Sequence, residues 1–291
     1  MDMGLRDKVV VVTGATANIG RATAVAFAAE GARVVVSGRD AEAGAAVVAE
    51  AEASGAAQAV WIAADLRDPE AVSALAQRVL SELGGIDVLV NNAGGNATFG
   101  AFVESDPESW AYDIEINLVA TMRMTRAFLP HMVAQKSGRI VNIGSTAGTI
   151  GDPFVASYSA AKAGVHGFTK VLASEVGVAN VTVNAIAPYA TVPTDPDEAM
   201  STGSRSHPEG LFNTMSTDEA QAAMSIFRTG ALPRPTARSG EIAAAAVYLA
   251  SSHAAFVTGE ILHVDGGVRL AWSHPEIRAA MANMQGTEMP R

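Results

Sequence analysis

Tyr158-Ser-Ala-Ala-Lys162 sets a phenol and an ammonium four residues apart, with a hydroxyl, Ser145, thirteen residues upstream. The Ala-rich run from Tyr158 to Glu175 reads as a helix, so positions i and i+4 share a face and the two groups look the same way. A free Tyr titrates near ~10, too high for acid–base work at neutral pH. A cation about 4 Å away is worth roughly 4 kcal/mol at an effective dielectric near 20. A tenfold change in acidity corresponds to about 1.4 kcal/mol. Lys162 is therefore expected to pull Tyr158 down toward the working range of a proton donor. Tyr-x-x-x-Lys alone is a common accident of helices, so its weight depends on the elements that would have to position it.

Those elements begin at Lys8-Val-Val-Val-Val-Thr13, a β-branched run typical of a strand buried on both faces. Gly14-Ala-Thr-Ala-Asn-Ile-Gly20 follows, then an Ala-rich helix stopped at Gly31, then a strand from Ala32 to Ser37. Strand, Gly-rich turn, helix and strand in this order give the glycines meaning: backbone N–H groups approach a pyrophosphate at the positive end of the helix dipole. The second strand runs into Gly38-Arg39-Asp40. Gly38 fills the slot where an acid would accept from ribose hydroxyls, and Arg39 can pair with a 2′-phosphate, which favours NADP(H) over NAD(H). The competing reading makes Arg39 a solvated turn residue and leaves the acid's task, or a helix cap, to Asp40.

A helix is expected over 40–54 and a third strand over 59–64. Asp65-Leu66 follows; an acid at a strand's carboxyl end reaches an adenine amine or merely caps a helix. Asp68-Pro69 opens the next helix, and Ile86 to Val90 is a fourth strand leading into Asn91-Asn92-Ala93-Gly94. These small residues and side-chain amides could line a cofactor and stitch neighbouring strand ends together, or simply make a turn. Ser105-Asp-Pro-Glu108 looks like a capping box opening a long helix toward Lys136. Asn117 lies inside that helix, where Asn is a mediocre former, so its amide is either used, for instance to hold a water, or solvated. A fifth strand over 139–145 puts Ser145 at its carboxyl end, the edge where ligands bind in open parallel sheets. Thr182 to Ile186 and Glu260 to Val264 are further strands, with a helix over 241–250 capped by Ser239 between them.

Composition narrows the function. The chain has 291 residues, of which 49% are apolar, and a formal net charge of −10. That balance argues against nucleic acid or an anionic membrane surface as partner. Cys is absent, which excludes disulfides and a thiolate nucleophile. The six His residues show no metal-ligand spacing, so no metal is expected. The N-terminal residues lack the h-region of a signal peptide, and no apolar run approaches the ~20 residues of a membrane span. A cytoplasmic protein is the expectation.

Taken together, Thr13-Gly14…Gly20, Asn91-Asn92-Ala93-Gly94, Asn117, Ser145, Tyr158/Lys162 and Asn184…Pro188 resemble the short-chain dehydrogenase/reductase family, over about residues 6–267. The resemblance implies an α/β fold: one Rossmann-like, doubly wound domain over 1–267 with a seven-stranded parallel sheet and helices on both faces. It also implies a homotetramer or homodimer built on helix faces. By this likeness Tyr158 is the proton donor and acceptor, Lys162 lowers its pKa and binds the nicotinamide ribose, Ser145 holds the substrate oxygen, and Asn117 supports a water relay. Gly14, Thr16, Asn18, Ile19, Gly20, Arg39, Asp65, Leu66, Asn92, Ala93, Gly94, Pro188 and Thr191 fall on its cofactor-binding positions, beside Tyr158 and Lys162. The implied reaction interconverts a ketone or aldehyde and an alcohol by hydride transfer.

This chain departs from the family pattern in three places. Asn18 stands for Gly, and Asn tolerates a left-handed backbone better than most residues. Tyr189 stands for a Gly after Pro188 and is placed to close over the nicotinamide or the substrate. Pro193 stands for a Thr, with Thr191 and Thr194 on either side. These changes keep a second reading open, a non-redox proton transfer such as elimination or isomerisation on the same fold. An idle nucleotide-binding scaffold is the third reading, and the intact Asn117, Ser145, Tyr158 and Lys162 argue against it. The stretch 190–238 is long enough for a substrate lid, with a helix expected from the capping box Ser216-Thr-Asp-Glu219 to Gly230 and an apolar side favouring a large or apolar ligand. The C-terminal extension 268–291 carries a helix start at Ser273-His-Pro-Glu276 and a stripe of Ile277, Met281 and Met284 for packing on its own or a neighbouring subunit.

Overall fold

A computed structural model describes residues 1–96, 99–194, 230–232, 234 and 236–270. Seven parallel strands form one sheet: β1 (Val9–Thr13), β2 (Arg33–Gly38), β3 (Gln58–Ala63), β4 (Val88–Asn91), β5 (Gly138–Ile143), β6 (Val181–Pro188) and β9 (Ile261–Val264). Their order across the sheet is β3-β2-β1-β4-β5-β6-β9. β7 (Thr191–Val192) and β8 (Ala237–Arg238) make a separate parallel pair. The order reverses between β1 and β4, and such a switch point opens a crevice at the carboxyl ends of the strands.

The apolar strands explain why the sheet is covered on both sides. Val9 and Val11 belong to one core with Leu75, Leu89, Phe128 and Ile140. Val10 and Val12 belong to the other, with Phe27, Val88, Val141 and Ile242. Alternate side chains of one strand therefore feed opposite layers, the arrangement a continuous β-branched run requires. Among the described residues the α-helices are α1 (Asn18–Ala29), α2 (Ala41–Ala53), α3 (Pro69–Glu82), α4 (Pro107–Ile114), α5 (Ala120–Ala134), α6 (Ala147–Ile150), α7 (Ala156–Val176) and α8 (Ser239–Ala250).

Most expected elements stand within a few residues of their expected bounds, and the differences have local causes. The helix expected to run unbroken toward Lys136 is α4 and α5 joined by a π-helical turn, Glu115–Val119, with Asn117 at its centre. The cap of α4 is Asp106, which accepts from Glu108 N–H at 3.0 Å; Ser105 instead donates to the Phe102 carbonyl and accepts from Trp110 Nε1. Ser239 is the first residue of α8, where the cap position belongs to Arg238, whose N–H is taken by Glu241 at 2.8 Å. The expected helix after Ser216 and the stripe Ile277, Met281 and Met284 lie outside the described residues. No helix among the described residues is long and apolar enough to cross a membrane, and no group of three acidic, His or Cys side chains among them is placed to hold a metal.

Candidate active site

Two buried asparagines fix the helix that carries Tyr158 and Lys162. Asn91 on β4 and Asn142 on β5 are register partners. Asn91 Nδ2 donates to Asn142 Oδ1 at 2.9 Å and to Thr125 Oγ1 at 3.0 Å; Asn142 Nδ2 donates to Thr169 Oγ1 of α7 at 2.9 Å. At the start of α7, Ser157 Oγ donates to Asp113 Oδ2 of α4 at 2.6 Å. The helix is thereby pinned near both ends, with Tyr158 on its first turn and Lys162 one turn along.

Lys162 is 4% exposed. Its Nζ donates to the Ile143 carbonyl at 2.7 Å and lies 5.6 Å from the Tyr158 ring centroid. Burial alone brings its pKa down to about 8. Ser145, two residues past the end of β5, accepts from Ala147 N–H at 3.1 Å, which leaves its own proton to donate. The sequence expectation thus brings Ser145, Tyr158 and Lys162 to one sheet edge. The Asn117 amide is used rather than solvated, as its place inside a helix suggested, and its partners are protein groups. Its Oδ1 accepts from Gly95 N–H at 3.0 Å, and its Nδ2 donates to the Gly95 and Asp113 carbonyls at 2.6 and 2.8 Å. The amide is committed to holding the loop after β4. A Cβ on Gly94 would press on both Asn117 Oδ1 and Lys162 Nζ, so the loop reaches these groups because it is glycine there.

The glycine turn after β1 lies across the switch point. Thr13 Oγ1 accepts from the N–H groups of Asn92 and Ala93 at 2.9 and 3.1 Å, and Asn92 Nδ2 donates to the carbonyls of Thr13 and Gly14 at 2.8 and 3.0 Å. The strand ends of β1 and β4 are stitched together there. Gly14 has φ +58°, and a Cβ on Gly20 would overlap the Gly14 carbonyl, so both need glycine. Thr16 is buried over Gly38, and Ile19 packs against the core. Asn18 has φ +44°; its Nδ2 donates to the Thr191 carbonyl at 3.3 Å, and its buried Oδ1 has no partner among the described residues.

The other expected positions separate by environment. Arg39 is exposed beyond β2. Asp65 is engaged by Arg67 through Nε at 3.1 Å, Nη2 at 2.6 Å and the backbone N–H at 3.0 Å. These bonds to Arg67, above all the side-chain ones, bring the Asp65 pKa down to about 2. The Leu66 side chain is core, and its carbonyl accepts from Arg123 at 2.9 Å. Pro188 is buried, and its carbonyl accepts from Thr146 N–H and Oγ1. Thr191 Oγ1 donates to the Tyr189 carbonyl at 2.7 Å. Sequence reading anticipated that the amides of Asn91 and Asn92 stitch neighbouring strand ends together. It missed the Thr13 hydroxyl and Asn142 as organising partners there, and Arg67 as the partner of Asp65. The signal for Asn142 was an Asn inside an apolar strand, which requires a buried partner.

These residues fit a dinucleotide. The helices α2, α3 and α4 each begin with an Asp accepting a first-turn N–H, whereas α1 begins with Ala17 and no side-chain cap or acid. Its open N–H groups and positive dipole end suit a pyrophosphate. Lys162 gives one of its three donors to Ile143, and the remainder suit hydroxyls.

Sheet order, crevice and turn define a Rossmann-type α/β protein. Residues 8–204 match the short chain dehydrogenase family, and the chain belongs to it. Members of that family are NAD(P)(H)-dependent oxidoreductases. The chain is 36% identical over 266 residues to the 3-oxoacyl-[acyl-carrier-protein] reductase FabG of Vibrio cholerae serotype O1, covering 91% of this chain and 99% of that one. It is 37% identical over 268 residues to the (2S)-[(R)-hydroxy(phenyl)methyl]succinyl-CoA dehydrogenase subunit BbsD of Thauera aromatica, covering 91% and 98%. Among solved structures, a protein described as a short-chain alcohol dehydrogenase from Sinorhizobium meliloti 1021 superposes with a TM-score of 0.79 at 32% identity, covering 94% of this chain and all of that one.

Proposed function

We propose that this chain interconverts a ketone or aldehyde and the corresponding alcohol with NADP(H), using Tyr158 as the general acid and base. The observation that carries the reading is the buried Lys162 ammonium one helical turn from Tyr158, 5.6 Å from its ring. A positive charge there favours the phenolate over the phenol, which makes the hydroxyl a better acid. The bound nicotinamide supplies or takes the hydride. As negative charge develops on the substrate oxygen, the Ser145 hydroxyl donates to it and the Tyr158 proton neutralises it. Asn117 holds Gly95, and with it the loop against which Lys162 sits. Gly14, Thr16, Ile19 and Gly20 would hold the pyrophosphate, with Asn18 on the same turn beside the cofactor. Asn92, Ala93, Gly94, Pro188 and Thr191 would flank the nicotinamide side, and Asp65 and Leu66 the adenine. Arg39 favours the 2′-phosphate of NADP(H).

Two relatives' names specify a 3-oxoacyl group on acyl-carrier protein and a hydroxylated acyl-CoA. Carbonyl-bearing acyl thioesters are therefore the first substrates to try. An apolar substituent is further supported by Phe99 and Phe154, both half exposed with ring centroids 5.4 Å apart. Phe154 lies four residues before Tyr158, has φ +68°, and its carbonyl accepts from Gly100 N–H at 3.0 Å. Phe154→Gly suits that backbone and removes the ring. It should lower kcat/KM for bulky apolar carbonyls relative to small ones by about tenfold; an unchanged ratio contradicts the apolar reading. The reaction itself is tested by following oxidation of NADPH across a panel of acyl-thioester and simple ketones. Saturable NADPH binding without oxidation across the panel would favour proton-transfer chemistry instead.

A further inference from the structure

Asn18 keeps a side chain where the turn would be easier with none. Its φ of +44° is the region that favours glycine, so the amide must do something a glycine could not. It crosses from the nucleotide turn to the segment after β6, where Nδ2 donates to the Thr191 carbonyl at 3.3 Å. That contact fixes the amide's orientation, because the flipped form would set two oxygens face to face. Oδ1 is then buried with no partner among the described residues. A buried acceptor without a donor marks a place for a group that the protein itself does not supply.

Thr191 is an informative end for this link. It pairs with Ala237 between β7 and β8. Three residues on, Thr194 N–H and Oγ1 both meet Ser239 Oγ at 3.1 Å, and Gly240 N–H donates to Thr194 Oγ1 at 2.9 Å. The chain leaves for the stretch after Thr194 and returns at Ala237 through one clamped base. Asn18 joins that base to the uncapped start of α1. It does so on the β6 side of the sheet, away from the β2 and β3 ends that hold Arg39 and Asp65.

We propose that Asn18 is a clasp between cofactor and the clamped base: Oδ1 accepts from an N–H or O–H donor on the nicotinamide-riboside half while Nδ2 holds Thr191. This rests on the nucleotide-dependent reading above. Occupied nucleotide then steadies residues 189–194, and the clasp couples cofactor binding to the segment leading away from β6.

The test uses the full-length protein and Asn18→Gly, which the left-handed backbone accommodates without strain. NADPH affinity is measured by fluorescence titration, and hydrogen exchange of residues 189–194 is followed with and without NADPH. The expected result is about fivefold to tenfold weaker binding by Asn18→Gly. NADPH should slow exchange over 189–194 in the wild type and leave it unchanged in the variant. Equal affinities, or equal slowing in both proteins, overturns the clasp while leaving the nucleotide reading intact. Failure of the wild type to bind NADPH or NADH sinks both.

Discussion

The proposed chemistry needs Lys162 as a charge, and the fold holds it where a charge is costly. Its pKa of about 8 against 10.5 means that, between those values, the unfolded chain keeps a proton the folded chain has released. Stability on this account rises with pH across that window. Below about pH 8 both states are protonated, and the fold carries the whole penalty of the buried ammonium, about 3 kcal/mol when each tenfold change in acidity is worth about 1.4 kcal/mol. Lys162→Met removes the charge but orphans the Ile143 carbonyl, a loss of about 1–3 kcal/mol. The variant should be inactive and, near pH 7, as stable as the wild type or slightly more so. Its stability relative to wild type should fall by about 3 kcal/mol between about pH 7 and pH 10. Urea unfolding at several pH values measures this, and a pH-independent difference contradicts it. The Tyr158 and Lys162 relation was legible because helical spacing is local. The depth of Lys162 was not, since it depends on the Gly94 loop and on the Ile143 carbonyl of another element.

At the level of elements, the deciding features are the turn at Gly14–Gly20 and the π-helical turn around Asn117. The first was readable: glycines between a β-branched strand and an Ala-rich helix have few structural solutions. The second was not, because an Asn in a helix signals a use without naming the partner, and Gly95 is 22 residues away. Asn117→Ala leaves the Gly95 N–H and carbonyl without their partner. It should destabilise the protein by at least about 2 kcal/mol while lowering turnover; an unchanged unfolding midpoint would contradict that role. Gly20→Ala forces a methyl onto the Gly14 carbonyl and should abolish nucleotide binding with the sheet intact. Retained affinity in a titration would count against the turn as the pyrophosphate site. Caps placed at Ser105 and Ser239 moved to Asp106 and Arg238 for a simple reason. At α4 the neighbouring Asp106 carboxylate is the better acceptor, at α8 Glu241 takes the Arg238 N–H, and the two hydroxyls found other partners.

For the whole molecule, the two-sided core followed from runs such as Val9–Val12, which leave no polar face for solvent, whereas the seven-stranded parallel sheet came from the family resemblance and its strand order from the structure alone. The stitching of strand ends by the amides at 91–92 was legible, but the partners of Asn91 in β5, α5 and α7 were not, because they lie at long separations. Arg39 makes cofactor choice a testable property at this scale: Arg39→Ala should weaken NADPH binding about tenfold and leave NADH binding unchanged. Equal losses for both would remove Arg39 as the discriminating group. The central claim is a proton delivered by Tyr158 beside bound nicotinamide. The most direct measurement compares NADPH affinity and NADPH-dependent carbonyl reduction in wild type and Tyr158→Phe. The account predicts wild-type affinity with turnover lowered at least about a thousandfold; a Tyr158→Phe enzyme that still reduces its carbonyl substrate at a comparable rate would contradict it.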